Sequence, residues 1–227
     1  MSKGLFITGT GTDIGKTYIT GLLLKKLNEN GHNCAYYKAA MSGNERDNDG
    51  NLILGDAVHV KNVSGITQPI KEMCPYVYET AVSPHLASII EGSLIDMDII
   101  RNNYISLTSK YDYIIAEGSG GIICPLRYDN NKIFLEDVIR MLNLPCIIIA
   151  DAGLGTINSV VLTVEYMNSH NIPVKGIILN HFHAKNIMEE DNKKMCEALT
   201  NVPVIACVED NCYDIDIVGE YIASICE

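Results

Sequence analysis

The chain has no tryptophan and only three phenylalanines in 227 residues, so its core must come from aliphatic side chains and tyrosine. Basic residues are also few: 17 Lys and Arg stand against 28 Asp and Glu, a formal net charge of -11. That balance counts against a nucleic-acid partner, which would need clustered cations to neutralise phosphates. Long hydrophobic runs are missing. The longest, Cys146-Ile147-Ile148-Ile149-Ala150, falls far short of the about 20 apolar residues that cross a bilayer. Near the N-terminus, Leu5-Phe6-Ile7 is too short for a signal peptide. The expectation is a cytoplasmic chain with no membrane partner. No C-x-x-C spacing occurs among the eight cysteines. Cys34, Cys124, Cys146 and Cys207 lie in or beside apolar runs, which predicts free, buried thiols of a reducing compartment.

Short β-rich runs alternate with amphipathic segments along the whole length, and no linker, repeat or low-complexity tract interrupts them. Strands are predicted at 4–8, 34–38, 111–117, 146–150, 174–179 and 204–208, and helices at 16–29, 56–63, 84–91, 96–109, 134–142, 156–169, 187–199 and 214–225. Gly31 fits a cap at the end of the first helix, and Ser83-Pro84 fits the N-cap and N1 of the third. Several strands are apolar at consecutive positions, so both sheet faces should be covered. The pattern predicts an α/β fold over residues 1–227: one doubly wound, mainly parallel sheet flanked by helices, like that of the P-loop NTPases.

The richest stretch is Thr8-Gly9-Thr10-Gly11-Thr12-Asp13-Ile14-Gly15-Lys16-Thr17, between the first strand and the first helix. A glycine-rich turn there leaves backbone N–H groups and the helix dipole facing an anion. Lys16 supplies a charge for β- and γ-phosphates, and the Thr17 hydroxyl is a Mg²⁺ ligand candidate. Gly9 precedes Gly15 by one residue more than the usual G-x-x-x-x-G-K-[ST] spacing allows, so this is a variant phosphate loop.

In doubly wound sheets ligands lie beyond the carboxyl ends of the strands. Those ends here are Thr8, Lys38, Glu117, Asp151 and Asn180, each polar after an apolar run. Tyr111–Glu117 has the shape of a second nucleotide motif, its final carboxylate facing a metal or simply solvent. Glu117-Gly118-Ser119-Gly120-Gly121 permits close backbone approach to a ligand. It is not a G-x-S-x-G nucleophile elbow, because Glu117 stands two before Ser119. Lys38 either reaches the γ-phosphate region or snorkels to solvent. Asp56 opens a helix, as an N-cap or as a metal ligand. His181-x-His183 has no third ligand at telling spacing and reads as loop. Asn180 could pair with an adenine edge, whereas the Asn-Lys-x-Asp pattern of guanine-reading GTPases is absent.

Together these stretches resemble the dethiobiotin synthetases over nearly the whole chain. The likeness rests on the long-spaced loop 9–17, Tyr37-Lys38-Ala39-Ala40-Met41-Ser42-Gly43, Gly55-Asp56-Ala57, Ser83-Pro84-His85, Glu117–Gly121 and Leu154-Gly155-Thr156-Ile157-Asn158. The resemblance implies an ATP-dependent cyclo-ligase that joins 7,8-diaminononanoate and CO₂ into a carbamate. ATP then phosphorylates the carbamate, and the second amine closes a cyclic urea, giving dethiobiotin, ADP and phosphate. It further implies Lys16, Lys38 and Thr12 as catalytic residues and Thr17, Asp56 and Glu117 as Mg²⁺ ligands. Asp13, Ile14, Gly15, Tyr18, Gly118, Ser119 and Gly120 would join these around the nucleotide, with Asn180 and the turn near Pro203 at adenine. Thr12, Lys38, Ser42, Gly121 and Asn158 would hold the diamine and its carbamate, in a homodimer that shares the substrate carboxylate.

Two departures stand out. Ala39 replaces the proline usual after the lysine, which would loosen that loop, and Ala206-Cys207-Val208-Glu209 replaces a Gly-x-Ile-Pro near the base. A competing class is the regulatory or partitioning ATPase switch. Such proteins place a lysine five residues before the loop lysine, where this chain has Gly11. The cobalamin-type synthetases, a second alternative, carry a glutaminase domain for which the chain has no room.

Overall fold

The computed structural model describes residues 2–226. Its central sheet is built from β1 (Lys3–Gly9), β2 (Cys34–Lys38), β5 (Tyr113–Glu117), β8 (Cys146–Asp151), β9 (Val174–Asn180) and β10 (Val204–Val208). Their order is β10-β9-β8-β1-β5-β2, and every pairing is parallel. Two small pairs lie outside it: β3 (Ala40–Met41) with β4 (Tyr76–Val77), and the antiparallel β6 (Pro125–Tyr128) with β7 (Lys132–Phe134).

Consecutive apolar residues serve opposite faces. Leu5, Ile7, Cys34, Tyr36, Ile115, Ile147 and Ile149 pack with α1 (Lys16–Glu29), α2 (Gly55–Ser64) and α8 (Gly219–Ile225). Phe6, Ala35, Tyr37, Ile114, Ala116 and Ile148 join the opposite core, under α4 (Met97–Thr108), α5 (Leu135–Leu142), α6 (Thr156–Ser169) and α7 (Ile187–Thr200). The short α3 (Pro84–Ile90) starts behind Ser83 with Pro84 at N1, and Gly31 follows α1 at φ 80°, both as the local sequence dictates.

The helix expected at 214–225 is shorter. Residues 210–218 form an irregular strap of turns and bends, with Ile215 and Ile217 buried and Asp216 between them exposed. The strap lies along α1: Tyr18 donates to the Cys212 carbonyl, Lys25 to the Tyr213 carbonyl at 2.9 Å, and Lys26 to Asp214 at 2.9 Å. All eight cysteines are free, six of them buried.

Candidate active site

The carboxyl ends of β1, β2 and β5 meet beneath the phosphate loop. Gly15 caps α1 at φ 86°, and a Cβ there would run into the Asn180 amide. The extra residue of the long loop is accommodated by Asp13, itself left-handed at φ 59°, a conformation Asp tolerates better than most residues. Lys16 Nζ donates to the Gly11 carbonyl at 2.6 Å. Burial lowers its pKa from the ordinary lysine value, only partly offset by the Glu117 charge.

Five groups converge beside it. Lys38 Nζ donates to Asp56 Oδ2 and to Glu117 Oε1, both at 2.6 Å. Thr17 Oγ1 donates to Glu117 Oε1 at 2.8 Å, and the Tyr36 hydroxyl donates to Glu117 Oε2 at 3.0 Å. Lys38 is therefore not a snorkelling lysine; it is 6% exposed. Burial by itself would lower its pKa, but the charges of Glu117 and Asp56, with their hydrogen bonds, prevail and raise it above the ordinary value.

Asp56 is not the N-cap of its helix. Leu54 occupies that position, and Asp56 lies in the first turn of α2 with its carboxylate turned to Lys38. The cleft above these groups encloses about 620 Å³ and is lined by Thr12, Asp13, Thr17, Tyr18, Met41 and His59, besides the charged set. A second cavity of about 640 Å³ shares Thr12, Asp13, Ser42, Ser119 and Gly120 with it and continues past Gly121 to Ala81, Pro84 and Cys124. A larger cavity of about 740 Å³, around Tyr104, Leu144 and Asn171, lies at the amino ends of the strands, away from these groups.

The loop after Lys38 is pinned in spite of Ala39. Ser119 Oγ donates to the Ala40 carbonyl at 2.9 Å, Ser42 Oγ to the Val82 carbonyl at 2.6 Å, and buried Asn44 to the Met41 and Tyr78 carbonyls. Side-chain hydrogen bonds replace the stiffness a proline would give. Sequence reasoning does not single out Asn44, Tyr36 or the Tyr18–Cys212 contact; the one signal is at Tyr36, a polar tip inside the apolar run 34–37.

Asn180 sits at the back of the phosphate loop, its amide donating to the Ile14 carbonyl at 3.1 Å. Beside it a crevice of about 240 Å³ is lined by Asp13, Tyr18, His181, Glu209, Asp210 and Asn211. Pro203 is not part of this crevice. It precedes β10, and in a parallel sheet that is the opposite rim; the far end of β10 and the strap are what lie next to Asn180. Asn158 is exposed near the start of α6 and lines neither large cleft cavity. His181 and His183 are bound to Asp151, Asp210 and Glu189. Among the described residues no three His, Cys, Asp or Glu side chains gather as a metal site.

Thr17, Asp56 and Glu117 present two carboxylates and a hydroxyl, all hard oxygen donors. That set fits Mg²⁺, which keeps most of its shell for water and phosphate oxygens and takes only one or two carboxylates.

A family model described as an AAA domain matches residues 3–213. The ATP-dependent dethiobiotin synthetase BioD of Brachyspira hyodysenteriae is 54% identical over 217 residues, covering 95% of this chain and 96% of the relative. The protein of the same name from Clostridium botulinum strain Okra is 46% identical over 227 residues, with 100% and 99% covered. Among solved structures, a ParA family ATPase from Chlorobium tepidum superposes with a TM-score of 0.57 at 15% identity, covering 93% of this chain and 86% of the other. The MinC:MinD cell division complex of Aquifex aeolicus gives 0.56 at 13% identity, covering 92% and 82%. At such identities these two share the P-loop NTPase fold alone.

Proposed function

The chain belongs to the dethiobiotin synthetases, ATP-dependent ligases of biotin biosynthesis, and from that premise we propose how its residues divide the reaction. One amine of 7,8-diaminononanoate attacks CO₂ to give a carbamate. A carbamate oxygen then attacks the γ-phosphorus and ADP leaves. The second amine attacks the resulting mixed anhydride and expels phosphate, closing the cyclic urea. Such phosphoryl transfer depends on positioning and charge neutralisation more than on covalent help from the protein.

In this reading Lys16 and the amides of Asp13–Thr17 hold the β- and γ-phosphates. Lys38, two strands away from β1 at the end of β2, leaves its carboxylates to meet the carbamate and γ-phosphate as negative charge builds between them. Thr12, Ser42 and Gly121 line the continuation of the cleft and hold the diamine and its carbamate, while Tyr18, the 118–120 backbone and Asn180 enclose the nucleotide. Thr17, Asp56 and Glu117 would hold Mg²⁺, which when bound supplies charge neutralisation on the phosphates. The observation that carries this division is Lys38 Nζ lying 2.6 Å from both Asp56 and Glu117, in a cleft that shares Thr12 and Ser42 with the adjoining cavity.

A homodimer completes the reading. Asn158 is exposed, and Leu154 (91%), Leu162 (61%) and Ile187 (88%) leave apolar surface on the same α6 and α7 side. A second copy covering it could share the substrate carboxylate through Asn158. The whole chain would act as one unit in the cytoplasm, a setting that free cysteines suit. Incubation with ATP, bicarbonate and the diamine, followed by mass spectrometry, tests the reaction: dethiobiotin and ADP should appear in equal amounts. ATP consumption at the same rate without diamine and bicarbonate would defeat it.

A further inference from the structure

We propose that Tyr36 is a positioning residue whose phenol fixes one oxygen of Glu117 and so aims the other at the phosphate site. The inference rests on the reading of Glu117 as a metal ligand. Tyr36 stands two residues before Lys38 on β2 and has no exposed surface. Its backbone is gripped from both sides by the fully buried Gln68 amide, which accepts from Tyr36 N at 2.8 Å and donates to Tyr36 O at 3.0 Å. The ring therefore starts from a fixed point and is packed between β1, β5, α1 and α2.

The two carboxylate oxygens of Glu117 then have separate duties. Oε2 accepts only the Tyr36 hydroxyl at 3.0 Å among the described hydrogen bonds, whereas Oε1 accepts both Thr17 Oγ1 and Lys38 Nζ. Without the phenol, rotation about the last torsion of Glu117 would be restrained on one side only, since that torsion is intrinsically broad. Outer partners of this kind set the orientation of a ligand, and their loss typically weakens metal binding about 10–100-fold.

Tyr37 supplies an internal control. It is also buried, but its hydroxyl points to the opposite face and donates to the Ile100 carbonyl on α4 at 2.9 Å. Tyr37→Phe removes a comparable buried hydrogen bond far from Glu117. The measurement is Mn²⁺ binding in the presence of saturating ADP, followed by the EPR signal of free Mn²⁺, on the full chain. Tyr36→Phe should raise the Mn²⁺ dissociation constant by at least about 10-fold, leave metal-free ADP binding unchanged, and keep the native circular dichroism spectrum. Tyr37→Phe should leave Mn²⁺ binding as in wild type. 4-Aminophenylalanine at position 36 restores a donor and should restore wild-type affinity; it also serves if Tyr36→Phe does not fold. Equal losses in the two Phe variants, or no loss in Tyr36→Phe while Glu117→Gln abolishes Mn²⁺ binding, would overturn the proposal. Unchanged binding in Glu117→Gln would instead place the failure in the reading of Glu117 itself.

Discussion

Lys16 and Lys38 carry the same formal charge in the same cleft, yet their surroundings assign them different work. Lys16 is bonded to its own loop through the Gly11 carbonyl, and burial lowers its pKa from the ordinary lysine value. Lys38 is held between two carboxylates that keep it protonated. Lys16→Ala should therefore impair ATP binding and turnover together. Lys38→Ala should bind ATP within a few-fold of wild type while losing about 10²–10³ in kcat, the usual cost of removing one preorganised charge that acts in the transition state. Arginine should rescue poorly, because its planar fork does not fit the space of a compact ammonium. Steady-state kinetics with a direct ATP-binding measurement separates the two cases, and normal turnover by Lys38→Ala would remove it from the chemistry.

At the scale of elements, α1 joins the phosphate loop to the strap that follows β10. Its first turn lines the cleft, and its Tyr18, Lys25 and Lys26 hold the strap. The strap in turn brings Glu209–Asn211 to the crevice beside Asn180. Removing the Tyr18 hydroxyl forfeits one hydrogen bond, about 0.5–1.5 kcal/mol. Tyr18→Phe should accordingly raise the KM for ATP about 2–10-fold with kcat little changed, and an unaltered KM would show that the strap does not contribute to base binding. The strap also marks where reading by sequence stopped. The strands and α1 were plain in advance, because covered parallel strands are continuously apolar and the loop fixes where α1 begins. Lys38, Glu117 and Asp56 could be picked out as polar residues at element ends. Their mutual bonds could not, since they join positions 18 and 79 residues apart. Pro203 was misplaced for a related reason: a turn beside a strand gives no sign of which rim it occupies until chain direction is followed through the sheet.

The molecule as a whole presents a cleft above the phosphate loop and an adjoining cavity lined in part by Ile123, itself 60% exposed. Asn158 lies outside both cavities, and the apolar side chains on its side of the molecule have no cover within the chain. A stable interface buries about 800 Å² per partner, and large exposed side chains such as Leu154 and Ile187 are the kind that anchor one. If a second copy docks there, the start of α6 with Asn158 gains access to a site it cannot reach in its own subunit, and its free N–H groups would suit a carboxylate. Leu154→Asp places a charge in the middle of that contact and should yield a monomer by light scattering. Such a monomer keeps its own phosphate loop, Lys38 and Glu117, so ATP binding should be little changed. What it loses is the hold on the far end of the diamine, so the KM for the diamine should rise by at least about 10-fold, the cost of roughly one charged hydrogen bond. A monomeric Leu154→Asp variant with wild-type KM for both substrates would show that each subunit works alone and that Asn158 has no part in binding.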